Sequence, residues 1–233
     1  MKTLGLLGGM SWNSTELYYR WMNQSVAQQL GGLHSAQLLM YSFDFAEIAA
    51  QQKAENWAAL GAQMIDGAQR LKAAGADALV ICTNTMHLFA PKIEAATGLK
   101  VLHIGDAVAR ELTKQHITQA GILGTLYTMR MPFYADYYRA QHGIRLIAPS
   151  EGEQQIVSDI IYNELCRGAV QEPSRAQYLA VMAALQSQGA QAIILGCTEI
   201  GMLIEPQHFP ALLILDSTRL HVEYAVAYAL NQL

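Results

Sequence analysis

Two stretches of the sequence carry side chains that could do acid–base chemistry at the end of an apolar run. The first, VICTNTMH, begins at Val80 and ends in a thiol, two hydroxyls, an amide and an imidazole. The second, ILGCTE, ends at Glu199 in a thiol, a hydroxyl and a carboxylate. Thiols ionise more readily than hydroxyls near neutral pH and serve as bases or nucleophiles. The two stretches therefore predict an active-site edge that takes and returns protons.

The two stretches belong to an internal repeat. GADALVICTNT from Gly75 aligns with GAQAIILGCTE from Gly189, and GLLGGM from Gly5 aligns with GILGTL from Gly121. The matches recur in the same order at nearly constant separation. We therefore expect two similar halves that supply related chemistry, with a ligand beyond the carboxyl ends of parallel strands.

The repeat distinguishes the two thiols. It aligns Thr83 with Cys197, whereas Cys82 aligns with Gly196. Successive side chains on a strand point to opposite faces, so neighbouring residues do not both reach one site. We expect Cys82 to be buried and Cys197 to be catalytic, with Thr83 as its counterpart. Thr198 and Glu199 are predicted to open a helix whose N-terminus lowers the pKa of the Cys197 thiol.

Further polar or loop residues are candidates for substrate contact, although several have a structural alternative. The loop residue at position 10 could equally pack in the core, and the residues after each thiol could cap helices. The carboxylate of the second motif could cap its helix, orient Cys197 or bind a substrate ammonium group. We favour the first or the last, because a carboxylate close to a thiolate would oppose its ionisation. The substrate-binding candidates are Met10, Gln52, Asn84, Thr85, Thr125, Thr128, Thr198 and Glu199.

Composition limits the class of protein. The chain has 233 residues, of which 52% are hydrophobic and 15% charged, and a net charge of −4. No basic cluster indicates nucleic acid, no run of about 18 apolar residues indicates a membrane span, and no signal peptide is evident, so we expect a cytoplasmic protein. The three cysteines are far apart and have neither metal-ligand nor disulfide spacing. We expect no metal site.

Apolar runs alternate with helix-length segments, which is typical of parallel sheets covered by helices. The predicted strands are Thr3–Leu7, Gln37–Ser42, Leu79–Cys82, Val101–Ile104, Ala120–Leu123, Arg145–Ile147, Ala192–Leu195 and Leu212–Leu215. The predicted helices are Ser14–Leu30, Asn56–Ala74, Met86–Ala96, Met129–Gln141, Gln154–Arg167, Ser174–Gln188 and Thr218–Leu230. We expect an α/β protein of two four-stranded halves facing across a cleft, residues 1–104 with 217–233 and residues 105–216.

The motifs CNT and GCTE, with GLLGGMSW, GILGT and the strand-end Asp216, resemble the aspartate/glutamate racemase family over essentially the whole chain. The resemblance implies two flavodoxin-like halves, a homodimer, and transfer of the amino-acid Cα proton by two opposed groups without a cofactor. The sequence fits a cofactor-independent enzyme, because its lysines end at Lys114 and GLLGGM is not a dinucleotide-binding GxGxxG.

The sequence departs from the family at three positions. Thr83 stands where typical members have the first cysteine, and a hydroxyl is a poorer base than a thiolate. Where archetypal aspartate racemases hold the distal carboxylate with arginine and lysine, this chain has an apolar residue near Ile48 and Cys166. Lys53 or Arg167 could substitute. We expect broad specificity, for aspartate and glutamate or for polar neutral amino acids. Two alternatives stay open: a single-cysteine decarboxylase related to arylmalonate decarboxylases, and a binding protein whose catalytic pair has decayed.

Overall fold

The computed structural model describes residues 1–233, and strands alternate with helices through nearly all of them. The strands are β1 (Leu4–Gly8), β2 (Leu38–Ser42), β3 (Ala78–Ile81), β4 (Lys100–Val101), β5 (Gln119–Leu123), β6 (Arg145–Ile147), β7 (Ala192–Leu195) and β8 (Leu213–Asp216). The helices are α1 (Trp12–Leu30), α2 (Phe45–Lys53), α3 (Trp57–Ala73), α4 (Ala90–Thr97), α5 (Ile104–Lys114), α6 (Leu126–Arg130), α7 (Pro132–His142), α8 (Glu151–Asn163), α9 (Glu172–Ser187), α10 (Ile200–Leu203) and α11 (Ser217–Ala229). Short 3-10 helices are Thr85–Phe89, Leu165–Arg167 and Pro206–His208. Each helix is too short or too polar to cross a lipid bilayer.

The strands form two four-stranded sheets in which every neighbouring pair is parallel. The first sheet has the order β2-β1-β3-β4, and the second has the order β6-β5-β7-β8. Both match the start of the flavodoxin-like strand order. The predicted pair of similar α/β halves is confirmed.

The chain divides into two compact units. The first comprises Met1–Ile104 and His221–Leu233, and the second comprises Gly105–Leu220. From the sequence, the last segment of the first unit was expected to begin at residue 217, which is the first residue of α11. In the structure this segment begins at His221, inside α11, so the first four residues of the helix belong to the second unit.

The residues of β3 alternate between two apolar clusters of the first unit. Leu79 and Ile81 pack with residues of α3 and α4, whereas Val80 and Cys82 pack on the other side with residues of α1 and α11. Cys82 has no exposed surface. The prediction that this thiol is a buried core residue is confirmed.

Helices α2 and α5 were not predicted, and the predicted helix Met129–Gln141 is interrupted at Met131, between α6 and α7. In α2, the Asp44 side chain caps the helix by accepting a hydrogen bond from the peptide N–H of Ala46 at 3.0 Å. In α5, Ile104, Val108 and Leu112 are fully buried at four-residue spacing, which is a helical pattern. The predicted strand 101–104 was too long because its apolar end belongs to that pattern.

Candidate active site

The same peptide hydrogen bond marks the end of the third strand in each unit. The N–H of Cys82 donates to the carbonyl of Leu7 at 2.9 Å, and the N–H of Gly196 donates to the carbonyl of Leu123 at 2.7 Å. Parallel pairing supports the match, since the strand residues immediately before them also pair across β1 and β5. The first thiol therefore corresponds to a glycine.

The residues that follow, Thr83 and Cys197, occupy equivalent positions in the two units. Both are partly exposed, in contrast to the fully buried Cys82. Cys197 packs against the core cluster that contains Ile193 and Leu195, so it continues the face of alternate β7 residues.

Gly196 lies in close contact with the neighbouring strand just before Cys197. A Cβ atom at this position would lie 2.8 Å from Cδ1 of Ile122 and 3.0 Å from the carbonyl oxygen of Leu123. A side chain here would require the Ile122 side chain to move and would crowd the Leu123 peptide. The glycine therefore permits close packing of β7 against β5 immediately before the thiol.

Cys197 is hydrogen-bonded to a carboxylate two residues along the chain. Its Sγ donates to Oε2 of Glu199 at 3.0 Å, and the Thr198 hydroxyl donates to the same oxygen at 2.5 Å. Glu199 is only 8% exposed, and its side chain makes no capping bond to α10, which begins at Ile200. The favoured capping role of Glu199 is therefore wrong, and the contact agrees with the alternative that Glu199 orients Cys197.

The predicted lowering of the Cys197 pKa is also wrong. Burial raises the pKa of this thiol well above its usual value, and the negative charge of Glu199 and its hydrogen bond to the thiol raise it further. The helix that was expected to stabilise a thiolate has only four residues, Ile200–Leu203. Cys197 without substrate is consequently a protonated thiol.

A second thiol and two phenols share this electrostatic environment. Burial, and then the Glu199 charge, raises the pKa of Cys166 to about 12. Partial burial of Tyr162 and burial of Tyr178 also raise the pKa of these phenols, and electrostatic coupling to the ionised forms of Cys197 and Cys166 contributes. The predicted helix Gln154–Arg167 includes Cys166. In the structure this residue is partly exposed in the 3-10 helix after α8 and packs against the same core cluster as Cys197.

The segment after β3 is buried more deeply than its polarity indicates. Asn84 is 5% exposed and Thr85 is 7% exposed. The side chain of Asn84 makes no capping bond to the 3-10 helix that follows, so its capping alternative is wrong. The nearby His87 ring donates from Nδ1 to the carbonyl oxygen of Thr83 at 2.9 Å.

Sequence reasoning missed two hydroxyls that organise the loop after β1. The Thr15 side chain accepts a hydrogen bond from the Gly9 N–H at 2.8 Å, and it lies where a Cβ atom on Gly8 would clash. The Ser14 hydroxyl donates to the carbonyl of Cys82 at 2.8 Å and so joins the loop to the end of β3. The sequence signal was the polar stretch SWNST after two glycines.

The remaining candidates lie in three places. Met10 is 5% exposed within a first-unit core cluster, which supports its packing alternative, and Gln52 is buried in α2. In the second unit, the hydroxyl oxygens of Thr125 and Thr128 lie 3.4 Å apart at the start of α6, with Thr125 partly exposed and Thr128 buried. No group of three or more His, Cys, Asp or Glu side chains is arranged to hold a metal ion.

Comparison with known proteins places both strand-end motifs within one family match. The family model for Asp/Glu/hydantoin racemase matches residues 7–225, which include the entire segment from the first thiol motif to the second. The chain belongs to the Asp/Glu/hydantoin racemase family. Both racemase-family motifs thus lie within the matched region and follow corresponding strands of the two units.

Solved structures and one curated relative agree with this membership. A protein from Yersinia pestis described as a candidate Asp/Glu racemase is 47% identical, with a TM-score of 0.93 over 99% of this chain and 100% of that one. PH1733 from Pyrococcus horikoshii OT3, an aspartate racemase homologue, is 27% identical, with a TM-score of 0.84 over 98% and 99% of the two chains. The broad specificity amino-acid racemase RacX of Bacillus subtilis (strain 168) is 27% identical over 61% of this chain and 60% of its own length.

Proposed function

We propose that the protein is a cofactor-independent amino-acid racemase in which Cys197 and Thr83 transfer protons at opposite faces of the substrate Cα. The observation that carries the proposal is the equivalence of these two residues, each placed directly after the residue that hydrogen-bonds to the neighbouring strand. A reaction that inverts one carbon needs one proton-transferring group on each face. The proposal takes one from each unit.

In the proposed mechanism, the Glu199 carboxylate accepts the proton of the Cys197 thiol. Because Sγ already donates to Oε2 of Glu199, transfer along this bond produces a thiolate and a neutral carboxylic acid without a new contact. The thiolate then takes the Cα proton of one enantiomer, while the Thr83 hydroxyl delivers a proton to the other face. In reverse, the Thr83 oxygen removes the proton and the thiol supplies the new one. Solvent restores the protonation states between turnovers.

Thr83 makes this pair unequal. A hydroxyl is much harder to ionise than a thiol, so the step in which Thr83 acts as base has the higher barrier. Since the equilibrium constant for racemisation is one, kcat/KM must nevertheless be equal for the two enantiomers. We expect a slow but reversible enzyme that forms D-amino acids from L-amino acids.

The main-chain and side-chain polar groups near each proton-transferring residue would hold the substrate carboxylate and ammonium groups. The residues that would supply them are Asn84 and Thr85 in the first unit and Thr125, Thr128 and Thr198 in the second. We assign Gln52 to the substrate side chain. A neutral polar binding region favours hydrogen bonds over ion pairs with that side chain.

The proposed specificity is broad, with polar neutral amino acids preferred and aspartate and glutamate as weaker substrates. Ile48 is buried in a core cluster, and Lys53 and Arg167 are exposed. A desolvated distal carboxylate would need a cation or several donors. The RacX relative, a broad specificity amino-acid racemase, is consistent with this proposal. A cytoplasmic location and a homodimer also belong to the proposal. Sedimentation tests the homodimer, and cell fractionation tests the location.

Incubation in D₂O tests the proposal against its two alternatives. Each common L- and D-amino acid and a panel of aryl-substituted malonates are followed by NMR. The racemase predicts deuterium at Cα and appearance of the opposite enantiomer. Malonate turnover without exchange on amino acids would instead indicate the decarboxylase. Ligand-induced stabilisation without either reaction would indicate the binding protein.

A further inference from the structure

Three buried histidines come together beneath the end of β3. His87, His103 and His221 are 2%, 7% and 0% exposed, respectively. The ring centroid of His87 lies 4.6 Å from that of His103 and 5.4 Å from that of His221, and both contacts are edge-to-face. The rings come from the 3-10 helix after β3, the loop between β4 and α5, and helix α11. We call these three residues the histidine cluster.

Peptide groups fix the proton position of His87. Nε2 accepts a hydrogen bond from the N–H of Ile104 at 3.2 Å, so it carries no proton. Nδ1 therefore carries the proton. It donates to the carbonyl oxygen of Thr83 at 2.9 Å and, over a longer distance of 3.3 Å, to the carbonyl oxygen of Asn84. One ring thus connects the peptide of Thr83 to the first residue of α5.

His221 has the opposite tautomer. Its Nε2 lies 2.6 Å from the carbonyl oxygen of Leu102 and must donate, because a carbonyl oxygen only accepts. Its Nδ1 then accepts from the hydroxyl of Tyr18 at 2.8 Å. This ring joins the residue after β4 to helices α1 and α11, and it packs against the His87 ring.

We propose that the histidine cluster positions the proton-transferring segment, with His87 holding the Thr83 peptide through its Nδ1–H while His221 and His103 hold the His87 ring. This inference rests on the proposed function of Thr83. Apolar side chains of the same size would fill the space without the cost of burying polar rings. The hydrogen-bonding capacity of His87 is instead used on the carbonyl groups of Thr83 and Asn84 and on the next helix.

Positioning matters here because Thr83 is the weaker of the two proton-transferring groups. A displacement of about 1 Å of a reacting group can cost roughly 100-fold in rate. His87 is a positioning residue rather than a catalytic residue, because it contacts the Thr83 peptide and not the reacting atoms. Its loss should therefore lower kcat while KM changes little.

Two matched substitutions separate the two hydrogen bonds of His87. In His87→Asn, the amide NH₂ can replace the Nδ1–H donor to Thr83, but the acceptor for Ile104 is lost. In His87→Gln, the longer side chain can accept from Ile104, but the donor to Thr83 is lost. We expect kcat to fall by about 10- to 100-fold in His87→Gln and by much less in His87→Asn. The exposed His34→Asn serves as a control with unchanged kcat.

NMR of ¹⁵N-labelled histidine in the wild-type protein provides a readout that needs no activity. The inference predicts a proton on Nδ1 of His87 and on Nε2 of His221. A proton on Nε2 of His87 would overturn it, as would equal kcat values in folded His87→Asn and His87→Gln. Absence of Cα exchange in the wild type would reject the proposed function instead, and the tautomer measurement would still decide whether the cluster is built as described.

Discussion

The sulfur of Cys197 lies 3.0 Å from Oε2 of Glu199 and donates its hydrogen to that carboxylate. This contact reverses the usual picture of an activated cysteine, in which a neighbouring positive charge or helix N-terminus stabilises the thiolate. Here, burial and a negative charge both favour the thiol. The resting residue is therefore a protonated thiol, and in the proposed mechanism it becomes a base when its proton moves to Glu199.

Alkylation of Cys197 should depend on pH in a way that reports this contact. In a Cys166→Ala background, reaction with iodoacetamide should have a midpoint well above pH 9.0, the ordinary pKa of the thiol. Glu199→Gln removes the negative charge, so the midpoint should move to lower pH. The rate is measured by mass spectrometry of the modified peptide. A Glu199→Gln midpoint equal to or above that of the parent would contradict the assignment.

Thr83→Cys should raise turnover in both directions. A thiol at this position ionises more easily than the hydroxyl it replaces, so the slower half of the reaction becomes faster. Because the equilibrium constant remains one, kcat/KM should stay equal for the L and D forms of each substrate. Polarimetry in both directions measures this. A severalfold difference between enantiomers on a reversible reaction would be incompatible with the proposal.

Alanine substitutions at Gly9 and Gly31 test how tightly the loop after β1 is packed. Gly9 lies in this loop, and Gly31, at the end of α1, is the comparison. Gly9 has φ +83°, and an added Cβ would lie 2.2 Å from the carbonyl oxygen of Phe43, whereas Gly31 has φ +76° and nothing within 4 Å. Gly31→Ala should cost about 1–3 kcal/mol from backbone strain alone, because φ +76° with ψ 178° is a conformation that residues with side chains rarely adopt. Gly9→Ala should cost more, because the clash with the Phe43 carbonyl oxygen adds to the strain. Urea denaturation compares them, and equal free energies of unfolding would show that the loop relaxes.

The stability of the protein should fall below about pH 6.5 in part because of His87. Burial, followed by the charges of the neighbouring histidines, lowers the pKa of His87 well below 6.5. Between these values the unfolded chain binds the proton and the folded chain does not, so stability is complete above pH 6.5 and decreases as the pH falls. In His87→Asn this pH dependence should weaken by at most about 1.4 kcal/mol per pH unit. An unchanged slope in urea unfolding would mean that His87 titrates normally.

The sequence predicted the architecture well because its repeat and its apolar runs are local signals. The alternation of Val80 and Ile81 between two cores follows from strand geometry, and the burial of Cys82 follows from the alignment. The sequence also contained the helical spacing of Ile104 and Val108. The apolar residues before Ile104 made its segment resemble a strand, so the helix was not predicted.

The electrostatics of the site could not be predicted in the same way. Whether Glu199 caps a helix or binds the Cys197 thiol depends on a side-chain orientation that sequence spacing does not determine. The shortness of α10, which removed the expected helix effect, depends on the extended conformation of Ile204, which ends the helix after four residues. Likewise, the contact between His87 and His221 joins segments from opposite ends of the chain.

Exchange of the Cα proton in D₂O, compared among the wild type, Cys197→Ser, Thr83→Ala and Cys82→Ala, tests the assignment of Cys197 and Thr83 most directly. We predict rapid exchange in the wild type, none in Cys197→Ser, impaired exchange in Thr83→Ala and near-normal exchange in Cys82→Ala. Circular dichroism confirms that each variant folds. Loss of exchange in folded Cys82→Ala, with exchange retained in Cys197→Ser, would contradict the account.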